Sequence, residues 1–360
     1  MKNLLTKVKK ILYPLFNTRA AGLYFILFAA AIAIATFIEN DFGTSAAQKV
    51  IFKAWWFELL LALFGITIIV NIFTYRMIQQ KKWALLLFHA SIIVILIGAG
   101  VTRYFGFEGV MHIRENDAAN TFLSAETYLK FEANKDGTTY NFSEPVLFAS
   151  LGDNSWEESY LIGDDLVHIE VSEFLPNPKQ SLVTDEAKGL PTLKIVVAGP
   201  NGREEYYISQ GETKRIRNVT YNFKQSRLPG AINLVYQNDE LAFTTSQTLT
   251  QRVMATQQLD TIQASSDLQP LKLRALYSDG SNNFVFSEFN PYATIAIVSE
   301  KPKVENQSTV ALQMDVTVNE TTKQTYIYGN KGLPGRPSTL IFDDLSLQLS
   351  YGAKEISVPF

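Results

Sequence analysis

Only three histidines occur in the chain, His89, His112 and His168, and their surroundings differ. His89 lies inside an uncharged apolar run from Trp83 to Thr102, WALLLFHASIIVILIGAGVT. A run of about 20 such residues spans a bilayer as one helix. An ionisable side chain there costs on the order of 3 kcal/mol or more, which marks it as a functional residue. A neutral imidazole in hydrocarbon has two uses. It can hydrogen-bond a neighbouring helix, or it can give a ring lone pair to haem iron as an axial ligand. His89 follows Trp83 by six residues, about 9 Å of helical rise. A site at His89 therefore lies in the half of the membrane nearer Trp83. Leu85, Ile92, Ile93, Leu96 and Gly100 share its side of the helix, and Gly100 leaves room for a neighbouring helix or a flat ring.

The other histidines have weaker claims. His168 sits in LVHIEVSEF, where Val167, Ile169 and Val171 form an apolar face and His168 shares the polar face with Glu170. His112, in GVMHIRE, follows the apolar run where a first strand is expected, a rim position near the membrane surface. No cysteine is present, which excludes disulfides, thiolate-held iron–sulfur clusters and covalent haem attachment through C-x-x-C-H. The glycines of GNKGLPGRP lack the G-K-[ST] of a phosphate loop, and G-x-S-x-G and H-E-x-x-H are missing. The acid pairs Asp164-Asp165 and Asp343-Asp344 fit solvated turns. A net charge of -3 gives nucleic acid nothing to bind. No complete catalytic set is present.

The elements that position His89 begin with two further spans. Apolar runs cover about 20–38 and 55–75, ahead of the 83–102 run. The first is longer than a signal core, and Phe37-Ile38-Glu39 is a poor cleavage site, so it reads as a span. Lys2, Lys7, Lys9, Lys10 and Arg19 precede it, and Arg76, Lys81 and Lys82 fill the link between the second and third spans. The positive-inside rule then puts the N-terminus and that link in the cytoplasm of an inner membrane, and residues 104–360 outside. Trp55, Trp56 and Trp83 open the second and third spans, as interfacial Trp does. Residues 1–19 have the pattern of a basic helix lying on the bilayer surface. In the link between the first two spans, Ser45-Ala46-Ala47-Gln48 has capping-box spacing, with Ala47, Val50, Ile51 and Ala54 on one face.

Residues 103–360 read as a large, mainly-β extracytoplasmic region. Asp136-Gly137 joins two β-rich runs as a tight hairpin. Gly199-Pro200-Asn201-Gly202 and Ser278-Asp279-Gly280 separate further pairs. Strict alternation at Val310–Val318 and Leu345–Tyr351 predicts half-buried strands. Gln/Thr/Ser-rich stretches at 244–268 and 301–309 read as long loops or boundaries. The strand-like pattern runs up to Phe360, so the chain reads as the front part of a longer protein, with an unpaired edge expected there. The composition, 47% hydrophobic, averages these two unlike parts.

The order of features resembles the ResB/CcsB family of system II cytochrome c biogenesis, and within it the N-terminal half of fused CcsB–CcsA-type proteins. The resemblance is carried by AWWFELLLALF in the second span, LLLFHASIIVILIGAG in the third, GFEGVMHIREND after it, and LQLSYGAKEISVPF at the end. It implies a membrane subunit of a haem exporter and haem lyase. The cargo would be haem b in transit, with His89 as an axial iron ligand paired with a histidine from a CcsA-like helix. Apocytochrome c would be the partner outside. The family's Trp-rich haem motif and its flanking histidines belong to the CcsA part and have no counterpart here, and AWWF is not that motif. A fourth span follows the outer domain in the family and is not found in this chain. The rival reading is a non-enzymatic membrane-anchored β scaffold or sensor, in which His89 makes a structural interhelical hydrogen bond. A transporter accessory subunit is a third, hinted at by Glu58 and His89 alone.

Overall fold

The computed structural model describes residues 13–200, 202–305 and 308–358. The basic N-terminal segment falls mostly outside these; Tyr13–Leu15 form a single 3₁₀ turn. Three helices, Thr18–Phe42, Trp55–Thr74 and Trp83–Phe105, are each long and apolar enough to cross a membrane. The second and third begin at the interfacial Trp residues. The first starts at Asn17, whose side chain accepts from the Ala20 N–H at 2.9 Å. It runs past Ile38 to Gly43, whose φ of 91° and ψ of 166° only glycine adopts readily.

The first span packs on the second, and the second on the third. Small residues bring the first pair close. Ala31 and Ala35 are buried against Ala47, Ile51 and Phe57, and the Phe28 and Phe57 rings stack 5.9 Å apart. In the intervening link the helical turn Thr44–Ala47 starts at Gly43 without a side-chain cap, so Ser45 does not close the expected capping box. A π-helical turn, Gln48–Phe52, follows. Ala47 and Ile51 are nevertheless buried together.

The chain divides into two compact units. One comprises residues 1–178 and 299–360, the other 179–298. In the first unit two antiparallel sheets enclose one core. The first sheet runs Gly109–Val110, Thr121–Lys135, Leu345–Ser357, Ser338–Phe342, with Thr138–Val146 also paired to Thr121–Lys135. The second runs Thr321–Asn330, Thr309–Val318, Asp165–Pro176, Trp156–Ile162. Alternate residues meet between them: Leu129, Phe131, Leu347 and Leu349 from one sheet, Ile169, Leu312, Met314 and Val316 from the other. Each such side chain contributes roughly 1.5–3 kcal/mol of burial. The hairpin at Asp136-Gly137 is as read, with positive φ at both residues, 50° and 78°. Leu345–Leu349 is paired on both sides, whereas from Ser350 to Ser357 the strand pairs along one side with Thr121–Lys135 and meets on the other only an isolated bridge from Pro334 to Ala353.

The link between the first two spans is tied to this sandwich. Lys49 donates to Asn154 at 2.6 Å and lies over the Phe148 ring, Lys331 donates to Ser45 at 3.2 Å, and the Val304 N–H donates to the Phe42 carbonyl at 3.3 Å. The stretch 300–308 carries no strand among its described residues. Asn177 fixes it, donating to the carbonyls of Lys301 and Lys303 at 2.9 and 2.8 Å.

The second unit is also all strand. One sheet runs Leu259–Ile262, Leu249–Val253, Ala275–Ser278, Asn283–Ser299, Leu190–Gly199, Gly202–Ser209, with Pro178–Thr184 on Asn283–Ser299. The other runs Ser265–Pro270, Glu240–Thr245, Ile232–Gln237, Val219–Asn222, Thr213–Ile216. Its core is aromatic: Tyr221, Phe243, Tyr277, Phe284 and Phe286, with Tyr277 and Phe284 stacked 5.6 Å apart. The stretch 244–268, expected to be a loop, instead supplies three short strands. Its polar residues are accommodated by hydrogen bonds. Gln251 is buried and donates to the Tyr277 hydroxyl at 2.8 Å.

Candidate functional site

His89 lies in the third span, half-buried, one turn and a half in from Trp83. Its Nδ1 is 2.8 Å from the carbonyl oxygen of Leu85, one turn earlier in the same helix. A carbonyl only accepts, so Nδ1 carries the proton and donates. The other ring nitrogen, Nε2, then holds the lone pair of a neutral imidazole and has no hydrogen-bond partner among the described residues. In this tautomer Nε2 is the lone-pair donor of the ring, oriented by the hydrogen bond on the opposite nitrogen. The Phe88 ring stands edge-on to the imidazole at 5.7 Å. The interhelical hydrogen bond of the scaffold reading is not formed here. The bond goes to the residue's own helix.

The third span itself is open. None of its residues is buried, and Leu87, Val94 and Ile95 are 69%, 68% and 67% exposed. Its contact with the second span runs through Leu86, Ile92 and Ile93 against Ile68 and Ile72, joined by Met77 of the following link, with Leu96 near Gly65. Of the residues expected beside His89, Ile92, Ile93, Leu96 and Gly100 are half-buried, whereas Leu85 is exposed. A side chain at Gly100 would meet nothing within 4 Å, so the room it leaves is free within this chain.

The remaining histidines lie elsewhere. His112 is exposed in the loop after Gly109–Val110, not in a strand. His168 is on the strand Asp165–Pro176, its Nδ1 3.0 Å from the Ser159 hydroxyl on the adjacent strand, while Val167, Ile169 and Val171 are buried. Neither belongs to a membrane-spanning helix, so His89 is the one histidine within the spans. Glu58, near the start of the second span, forms an ion pair with Arg103 at the end of the third and accepts from the Tyr104 hydroxyl at 3.1 Å. Arg103 also donates to the Phe52 carbonyl at 2.5 Å. The one acid of the second span is thereby explained as a clasp at the helix ends, which removes half of the support for a transporter subunit. The sequence held the two charges but no sign that they pair. Asp165, of the acid pairs, opens the strand Asp165–Pro176 and accepts from Lys135 and Asn319, while Asp164 lies in the turn before it.

Residues 79–143, which include His89 and His112, match the ResB-like family. A stretch of 121 residues is 45% identical to Protein NrfI of Wolinella succinogenes. The aligned stretch amounts to 33% of this chain and 13% of NrfI, so the chain matches only a small part of its relative's length.

Proposed function

We propose, from the ResB-like match over residues 79–143 and the partial identity to NrfI, that the chain is a member of the ResB/CcsB family of cytochrome c biogenesis and the membrane subunit of a haem exporter and haem lyase, with His89 an axial ligand to haem in transit. The observation that carries the reading is the tautomer of His89. Its proton is held by the Leu85 carbonyl, which leaves Nε2 as a lone-pair donor in an apolar helix. The rest of the coordination has to come from outside the chain, because His112 and His168 lie outside the spans. A CcsA-like membrane protein or domain would supply the opposing histidine and cover the exposed third span. Haem is the substrate here. His89 holds one side of its iron, and the apolar neighbours exclude water.

Orientation follows the basic residues, with Arg76, Lys81 and Lys82 in the cytoplasm and the β units on the periplasmic side of the inner membrane. His89 then sits in the cytoplasmic half of the bilayer, near the side on which haem enters. The sandwich on the outer side would receive apocytochrome c or pack on the partner. Co-purification with the CcsA-like partner tests the reading. The complex should carry haem with a low-spin, bis-histidine absorption spectrum, and the chain alone should bind haem weakly. A complex free of haem when expressed with haem in excess would contradict it.

A further inference from the structure

A cavity of about 500 Å³ opens within the first unit, where the helices meet the sandwich. Its membrane-side wall is the link between the first two spans, through Ser45, Gln48 and Lys53, and the end of the third, through Thr102, Arg103 and Phe107. Both are span ends, which places the cavity at the level of lipid headgroups. Its other wall is apolar and aromatic, through Val146, Phe148, Phe174 and Tyr351. Phe148 packs against Phe174 and Tyr351 at 6.1 and 5.8 Å.

The charges of this cavity are equal in number once Arg103 is paired with Glu58, but they are not all joined in ion pairs. Three cations line it, Lys53, Arg103 and Lys331, against two acids, Glu108 and Glu126. Arg103 is already paired with Glu58. Lys53 reaches Glu126 only at 3.9 Å. Lys331 is half-buried and donates to the Ser45 hydroxyl at 3.2 Å, with no carboxylate within ion-pair distance among the described residues. Burial holds its ammonium below the usual lysine range, against a weaker opposing pull from Glu39. A half-buried ammonium that makes no ion pair is costly, and an anion beside it in the cavity would relieve that cost.

We propose that this cavity binds the phosphate of an anionic membrane phospholipid, with Lys331 and Lys53 as counter-ions and the aromatic wall against the glycerol and upper acyl carbons. The cavity is within the size range of small-molecule sites and combines a charged rim with an apolar face. It holds a headgroup and the start of the chains, and the rest of the lipid would remain in the bilayer. A zwitterionic lipid satisfies the phosphate contacts but brings its own cation beside Lys331 and Lys53, so an anionic lipid is preferred.

Native mass spectrometry of the full chain released from detergent tests this, with phosphatidylglycerol, phosphatidylcholine, inorganic phosphate and haem as probes. Phosphatidylglycerol should be retained in preference to phosphatidylcholine. Lys331→Gln should lower its retention about tenfold, the scale of one lost charge-assisted hydrogen bond. Lys331→Arg should restore most of it, and Lys188→Gln, at an exposed position of the second unit, should change nothing. Lys53→Gln, half-exposed, should lower retention less, and it replaces Lys331→Gln as the test if the latter does not keep its β circular dichroism. Equal retention of both lipids, or indifference to the lysine variants, would overturn the proposal. Displacement of the lipid by inorganic phosphate would assign the site to a free anion, and displacement by haem would assign it to the cargo; either overturns the lipid assignment.

Discussion

A histidine in a membrane helix need not seek a second helix to satisfy its ring. His89 donates from Nδ1 to the Leu85 carbonyl one turn back, and this leaves Nε2 without a hydrogen-bond partner among the described residues. The residue was legible in the sequence because it is the one ionisable group in an apolar run. Its tautomer was not, since that depends on rotamer and backbone geometry. The pairing of Glu58 with Arg103 was also hidden, because the two sit on different spans and meet only when the spans pack. A half-buried ion pair in the sandwich gives a pH signature. The Asp165 carboxyl accepts from Lys135 at 2.5 Å and from Asn319 at 2.8 Å, which holds it below the ordinary 3.8. Its contribution to stability is therefore full above the ordinary carboxylate range and is lost as pH falls through its lower folded value. The same bond from Asp165 raises Lys135 above 10.5, so the lysine's share persists until strongly alkaline pH. Thermal melting of the detergent-solubilised chain from about pH 6 to 2.5 should show an acid-sensitive component that Asp165→Asn lacks. Identical pH profiles for the two would remove Asp165 from the account.

At the scale of elements, the three spans were legible because hydropathy and flanking Trp define them within a few residues. Val310–Val318 and Leu345–Tyr351 were legible because alternate residues face one core. The strands between 249 and 270 were not, because their inward residues include Gln251, buried through its bond to Tyr277 and not through apolar character. The end of the first span depends on Gly43. A Cβ there would lie 2.3 Å from the Val304 carbonyl oxygen, in backbone space that other residues avoid. Gly43→Ala should lower stability by about 1–3 kcal/mol from conformation alone. Its melting temperature should fall, whereas Gly22→Ala, where a Cβ meets nothing within 4 Å, should leave it unchanged. In the sandwich core Leu312 is fully buried, and Leu312→Ala should cost about 2–5 kcal/mol in denaturant unfolding. Leu161→Ala, at a position 69% exposed, should stay within about 0.5 kcal/mol.

For the whole molecule, the sequence carried the division into membrane spans and a β-rich remainder, but not the separation of residues 179–298 as a unit of their own. Its first boundary, at Pro178, falls beside Asn177, the single residue between the strands that end at Pro176 and start at Pro178, too short a link to stand out as a domain edge, while its second, at Ser299, borders the 301–309 stretch read as a loop or boundary. Orientation is testable across the chain. Alkaline phosphatase fused after Phe360 should be active and one fused at Gln80 silent, because basic residues crowd the second link; the reverse would place the β units in the cytoplasm. Function in this account requires the exposed third span to meet a partner that completes the iron's coordination. The most direct test is His89→Ala in the complex with the CcsA-like partner, followed by haem content, absorption spectrum and cytochrome c maturation with and without added imidazole. The variant should lose the low-spin spectrum and most of its maturation activity, and imidazole should restore part of both by filling the vacated ligand position, while His112→Ala and His168→Ala behave as the wild type. Haem content, spectrum and maturation left intact in His89→Ala would contradict the assignment of His89 as the ligand.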